Sequence, residues 1–272
     1  MHLEEKCALS RSTTFTEEIS ELSRIRTLRR KKIKKYPSVS VIIATLRPAD
    51  LSSILSQLKT QTLESFELAI GLHGIDLNRQ HRELIGVLEK RKIKVLVRKY
   101  DTDQTLGTIL SDLAEMTSGE YVSKMDDDDY YGPEHLRDLI DAAIDNDADA
   151  VGRAMNYVYL EPLDLTVRRF GVQGTQAVEL WSDWVCGGTI LISRSAGKSA
   201  GWFGNGTTAV DRAILSSLTN NGGKIWRTFG AGYIYRRSFT FHTYVTNYSK
   251  YLKNANQQIV GLWSDKVFGT SK

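Results

Sequence analysis

The sequence predicts an α/β protein: a Rossmann-like, mainly parallel central sheet with helices on both faces, followed by a half of mixed pattern. Three observations predict it. From Val39 onward, short β-rich runs alternate strictly with amphipathic helical patterns for about 90 residues, the arrangement that builds parallel sheets. After Asn146 the alternation gives way to closely spaced strand-like runs, and this half carries all five tryptophans. The 272 residues, 41% hydrophobic and 25% charged, have the length and balance of a soluble α/β chain.

The elements follow from local pattern. Thr14-Phe15-Thr16-Glu17 spells a capping box, and Phe15, Ile19, Leu22 and Ile25 continue at helical spacing. Residues 24–35 carry eight basic side chains and end before Pro37. Two uses are open to them: a solvated helix leading into the domain, or an electrostatic dock on an acidic membrane surface or partner. Residues 39–44 form the first buried strand. Pro48 suits the first turn of a helix, with Leu51, Ile54, Leu55 and Leu58 as its apolar stripe. Residues 66–72 read as a second strand, 76–89 as a polar helix, and Ile93, Val95 and Val97 as an alternating third strand. Leu106, Ile109, Leu110, Leu113 and Met116 mark another helix. Residues 121–125 form a fourth strand that runs into four aspartates. A helix extends from Pro133 to Asn146. Residues 150–160 and 165–170 read as strands about a turn at Glu161-Pro162, and 187–193 as a further strand. Residues 210–218 are helical; 225–228 and 233–237 are strand-like.

The net charge of +4 is unevenly placed. Residues 1–35 hold ten Lys/Arg and five Asp/Glu, whereas the remainder holds 26 and 27. The main domain is therefore close to neutral, which excludes a broad nucleic-acid-binding face. No apolar run approaches the ~20 residues that span a bilayer. Glu4 and Glu5 stand where the apolar part of a signal peptide would begin, so a cytoplasmic location is expected, with residues 24–35 available to reach the inner face of the membrane. Cys7 and Cys186 provide neither a disulfide framework nor zinc spacing.

The segment Lys124-Met125-Asp126-Asp127-Asp128-Asp129-Tyr130-Tyr131 is the most informative. Adjacent carboxylates repel one another, and a hard divalent cation is a common reason to gather them. An N-terminal cap for the next helix would account for one aspartate, not four. In open parallel sheets, ligands bind beyond the carboxyl ends of the strands, where these aspartates lie.

In this context the chain resembles a family 2 glycosyltransferase of GT-A fold. The resemblance rests on Val41-Ile42-Ile43-Ala44-Thr45-Leu46-Arg47-Pro48, on Gln57 to Gln61 with Phe66-Glu67-Leu68, and on Gly107 followed by Gly119-Glu120-Tyr121-Val122 and the aspartates. It extends more weakly to about His242. It implies a metal-dependent, inverting transfer of sugar from a nucleoside diphosphate sugar, UDP-sugars first, to a saccharide or glycoconjugate hydroxyl. The implied DxD motif is Asp126-Asp127-Asp128, with Asp126 and Asp128 toward Mn²⁺ or Mg²⁺ and Asp126 and Asp127 toward the nucleotide sugar. Ala44, Thr45, Arg47 and Gly107 join the donor side. Where the family usually ends its second strand in an acidic pair, this chain has Gly71-Leu72-His73-Gly74. His73 is thus open to a part in base recognition or to none. The family's Arg-Asn after Gly107 is also missing.

In the second half, Thr207-Thr208-Ala209-Val210-Asp211 resembles the position of the family's base, making Asp211 the candidate for deprotonating the acceptor. Trp184-Val185-Cys186-Gly187-Gly188-Thr189 resembles the acceptor-side strand, so Trp184, Gly187 and Gly188 are acceptor candidates. Trp202 is open to sugar stacking or core packing. His242 resembles the late histidine that serves as a further metal ligand. Arg236 and Arg237 are open to neutralising a diphosphate. The implied organisation is a basic helical extension (1–36), a donor half (37–132), an acceptor half (133–243) and a tail (244–272) open to use as a lid. Two rival functions are a sugar-phosphate nucleotidyltransferase, whose Gly-rich loop residues 44–48 lack, and a non-catalytic glycan-binding module, against which the aspartates and Asp211 argue.

Overall fold

A computed structural model describes residues 9–10, 12–171, 173–238 and 247–268. The chain opens with α1 (Phe15–Lys32) and alternates through β1 (Val39–Thr45), α2 (Pro48–Leu58), β2 (Glu67–His73), α3 (Arg79–Lys90), β3 (Lys94–Tyr100), α4 (Leu106–Met116) and β4 (Tyr121–Lys124). The short β5 (Tyr130–Tyr131) leads to α5 (His135–Asn146), β6 (Ala150–Arg153), β7 (Tyr157–Leu160), β8 (Leu165–Arg168), β9 (Leu180–Trp181) and β10 (Leu191–Ser193). Then come α6 (Arg194–Ala200), α7 (Val210–Asn220), β11 (Ile225–Thr228), β12 (Tyr233–Arg237), α8 (Ser249–Leu252), β13 (Gln257–Val260) and α9 (Ser264–Val267).

The large sheet has the order β3-β2-β1-β4-β10-β6-β11-β9, in which only β10 and β9 run against their neighbours. It runs unbroken from the strands before residue 132 into those after it. Its central strands read as continuous apolar runs because both faces are covered. Val41 and Ile43 of β1 pack with Leu51, Leu55, Ile85, Leu136 and Leu139 of α2, α3 and α5. Ile42, on the other face, packs with Ile109, Leu113, Ile214 and Leu218 of α4 and α7. A second sheet, β13-β8-β7-β12-β5, stands beside the large one.

Two strand expectations are corrected. Residues 150–160 do not form one strand: β6 belongs to the large sheet and β7 to the second. The chain changes sheets at Asn156, which is fully buried; its side chain donates to the carbonyls of Arg169 and Gln176 and accepts from the Gly230 amide. Residues 187–193 are a strand only at β10, since Gly187–Thr189 forms a 3₁₀ turn.

The basic N-terminal stretch does not form a solvated helix, the first of the two uses open to it. Both halves of the capping box form at Thr14 and Glu17, and the helix they start packs against α5. Along α5, Glu134, Asp138, Asp141 and Asp145 recur at helical spacing and meet the arginines of α1. Arg26 reaches Asp138 at 2.7 Å, Arg30 reaches Glu134 at 2.7 Å and Asp141 at 2.9 Å, and Lys32 reaches Asp145 at 2.8 Å. Arg29 is buried between Glu179 at 2.6 Å and Asp145 at 3.3 Å. Lys31, Lys34 and Lys35 remain exposed.

The described part of the tail is tied down. β13 adds a strand to the second sheet beside β8, and Tyr251 of α8 is buried in that sheet's apolar cluster. No helix among the described residues is long and apolar enough to cross a membrane.

Candidate active site

The four aspartates follow β4 at the carboxyl ends of β1 and β4, and each has a partner within the protein. Asp127 is buried; Thr45 Oγ1, at the end of β1, donates to its Oδ2 at 2.5 Å, and Arg47, before α2, pairs with its carboxylate. Arg47 also reaches Asp128 at 3.0 Å and Asp50 at 3.2 Å. Asp129 is buried, accepting from the Tyr233 hydroxyl at 2.5 Å and the Arg236 amide at 2.9 Å. Asp126 pairs with Lys124 at 2.7 Å. Its amide donates to Tyr131 Oη, which in turn donates to the Gly188 carbonyl. Gln57 of α2 braces the loop, accepting from the Tyr131 amide at 2.6 Å and donating to the Asp129 carbonyl at 3.3 Å.

Asp211 arrives from the second half, in the first turn of α7. Its Oδ1 lies 2.8 Å from the same Lys124 Nζ that holds Asp126. Two glycines make this approach possible. A Cβ on Gly187 would sit 2.0 Å from Asp211 Oδ2, and one on Gly188 would sit 2.8 Å from Asp126 Oδ2 and 2.9 Å from Asp129 Oδ2. The space that the missing side chains leave is thus taken up by these carboxylates and not by an acceptor.

The electrostatics are those of a crowded anionic pocket. Burial, followed by repulsion from Asp211 and Asp128, raises Asp126 to about 6 against the pull of Lys124. Burial, then Asp128 and Asp126, lifts Asp129 well above the usual carboxylate range. Burial disfavours the Lys124 ammonium, yet Asp126 and Asp211 together hold its pKa above the ordinary lysine value.

The crowding argument for a metal needs correction. Arg47, Lys124, Tyr233 and the Arg236 amide give the aspartates partners within the protein, so gathering them does not by itself require a cation. Among the described residues, no three His, Cys, Asp or Glu converge as a ready-made metal cage. The donor set nevertheless suits Mg²⁺ or Mn²⁺, which take one or two carboxylates and complete their shells with water and phosphate. Asp126 and Asp128 are the aspartates with side chains still open, at 34% and 17% exposure. His242 lies outside the described residues.

Other assignments separate from this cluster. Trp202 does not offer a stacking face: it is 5% exposed, packs on Gly197 of α6 and donates its indole N–H to Glu115 at 2.6 Å. Gly107 packs on the backbone of residues 203–206 and donates its amide to the Gly206 carbonyl. Trp184 is half-buried against the α2/α3/α5 core, and its carbonyl accepts from Ser182 and Arg227. Ala44 is half-buried near the end of β1. His73 is at the same sheet edge, two strands from β4, with Nε2 3.2 Å from the Thr102 carbonyl. Arg236 is held by Glu161 and Asp50, and Arg237 is buried over Tyr235. Lys124, Asp50, Gln57, Tyr131 and Tyr233 had no assigned role from sequence. Only Lys124 carries a signal: a lysine in a strand whose other inward residues are uncharged.

The sheet order is that of the GT-A fold. Residues 40–196 match the sequence profile of glycosyl transferase family 2, and the chain belongs to that family. Family membership argues against the nucleotidyltransferase. No curated protein sequence matches the chain. Among solved structures it is similar to S. aureus TarS residues 1–349 in complex with UDP-GlcNAc, with a TM-score of 0.57 and 17% identity, covering 79% of this chain and 64% of that one. The structure of TarS 1–349 alone gives a TM-score of 0.54 and 15% identity, covering 73% of this chain and 60% of that one. The mannosyltransferase PcManGT of Pyrobaculum calidifontis, in complex with GDP-Man and Mn²⁺, gives a TM-score of 0.56 and 11% identity, covering 82% of this chain and 66% of that one. At these identities the likeness is one of fold, and the chain spans 60–66% of those solved chains and 37% of the longer TarS chain.

Proposed function

We propose that the chain transfers a sugar, with inversion, from a nucleoside diphosphate sugar to a hydroxyl of a saccharide or glycoconjugate acceptor. One observation carries this reading: Asp211, from the acceptor half, and Asp126, from the donor half, meet on a single buried ammonium, at 2.8 and 2.7 Å. An inverting displacement needs a base on the acceptor side of the anomeric carbon and a leaving-group site opposite it. Asp211 is the base in this reading. Thr45, Arg47, Asp126 and Asp127 form the donor side, and Gly187 and Gly188 let Asp211 and Asp126 come close to the backbone between them. Asp126 and Asp128 would hold Mn²⁺ or Mg²⁺, which supplies positive charge to a departing diphosphate.

The complexes of TarS with UDP-GlcNAc and of PcManGT with GDP-Man and Mn²⁺ support a nucleotide sugar as donor, with UDP-sugars the first to test. Polysaccharide or glycoconjugate assembly in the cytoplasm is the corresponding setting. Lys31, Lys34 and Lys35, with Lys32 beside them paired to Asp145, are exposed for contact with an acidic membrane. Thermal-shift screening of nucleoside diphosphates with and without Mn²⁺, followed by transfer assays, tests the reading. Asp128→Ala should abolish metal-dependent nucleotide binding. Asp211→Asn should retain binding and lose transfer; full turnover in that variant would remove Asp211 as the base.

A further inference from the structure

Lys124 is a costly residue where it stands. It occupies an interior strand, with its backbone paired to Ile42 on one side and its amide donating to the Ile190 carbonyl on the other. Its side chain is 3% exposed. Burying an ammonium is expensive, and a hydrophobic side chain at such a site commonly serves the fold as well as a buried ion pair does. The neighbouring strand positions follow that rule: Val122 and Met125 are buried and uncharged. The lysine touches three groups, all in the site. Besides Asp126 and Asp211, it lies 3.4 Å from the carbonyl of Gly187, the residue whose missing side chain lets Asp211 approach.

We propose that Lys124 is the positioning residue of the transfer step, fixing the Asp211 carboxylate relative to the Asp126 end of the donor site from a rigid strand. The proposal rests on the functional reading above. It goes beyond charge balance, because the ammonium joins two carboxylates from opposite halves of the domain. A base delivered by the first turn of a helix has rotameric freedom, and the ammonium removes it. Misplacing a reacting group by about 1 Å costs on the order of 100-fold in rate.

The test uses Lys124→Gln, Lys124→Arg, Asp211→Asn and the Lys124→Gln/Asp211→Asn double variant, with nucleotide affinity, KM and kcat measured on each. Lys124→Gln is expected to lower kcat about 100-fold while nucleotide affinity changes only a few-fold. In the Asp211→Asn background it should cause almost no further loss, because the base it positions is already gone. Lys124→Arg keeps the charge but not the geometry. It should fold and still lose at least about tenfold in kcat, so it carries the test if the glutamine variant does not fold. A Lys124→Arg enzyme with wild-type kcat, or losses that multiply fully in the double variant, would overturn the proposal. If the wild type transfers sugar and Asp211→Asn is inactive while Lys124→Gln is not impaired, only this inference fails. If Asp211→Asn remains active, the underlying functional reading fails instead.

Discussion

Gly187→Ala is a single-methyl test of the active-site geometry. The added Cβ would lie 2.0 Å from Asp211 Oδ2, 2.4 Å from its Cγ and 2.9 Å from its Cβ, where ordinary contact begins at 3.4 Å. The carboxylate oxygen must therefore retreat by more than 1 Å; rotation of the Asp211 side chain relieves the oxygen and Cγ, and a shift of a few tenths of an ångström in the backbone relieves the Cβ contact. That rotation breaks the 2.8 Å contact with Lys124 and leaves the Asp126 contact in place. A displacement of about 1 Å predicts a loss of about 100-fold in kcat. The donor side is untouched, so nucleotide affinity should stay within about threefold, and the residual overpacking should cost no more than about 1–3 kcal/mol of stability. Steady-state transfer at saturating donor and nucleotide titration of the same preparation give both numbers. A variant with wild-type kcat would show that Asp211 is not held where the chemistry occurs. Gly86→Ala is the control: its Cβ meets nothing within 4 Å, so in α3 it should stabilise the protein by about 0.5–1 kcal/mol and leave kcat unchanged.

Four further outcomes are expected. Arg29→Ala removes the cation between Glu179 and Asp145, so chemical denaturation should show a loss of about 3–5 kcal/mol, whereas Lys31→Ala, at an exposed position, should stay within about 0.5 kcal/mol. Trp202→Ala should cost about 3–5 kcal/mol through its cavity, and acceptor KM in the folded fraction should not change; a large KM change would return Trp202 to the acceptor site. Because burial and its neighbours raise Asp126 to about 6, Mn²⁺-dependent nucleotide affinity should weaken as pH falls through 6, where protonation removes the charge that attracts the cation. The same shift, from an ordinary 3.8 upward, means that without metal the folded state loses Asp126-linked stability as pH rises from about 4 to about 6, measurable by cation-free thermal denaturation across that range.

What the sequence by itself determined was everything written in nearest-neighbour chemistry. Alternating apolar runs and amphipathic stripes placed β1 to α4 within a few residues. The Thr14/Glu17 capping box announced α1, Pro48 announced α2, and the aspartates after β4 marked the ligand end of the sheet. These signals are local, because periodicity and caps depend on side chains within a turn or two. The tertiary structure alone decided which charges meet. The arginines of α1 find carboxylates on α5 more than 100 positions away, so a stretch that looks like a free basic surface is consumed within the domain. Asp126 and Asp211 share an ammonium only because β4 and α7 converge at Gly187. Trp202 is removed from the acceptor side by its packing on Gly197 of α6 and its hydrogen bond to Glu115 of α4. Strand 150–160 divides because two sheets compete for it. In each case the deciding energy is desolvation relieved by a distant partner, and one-dimensional order does not record who that partner is.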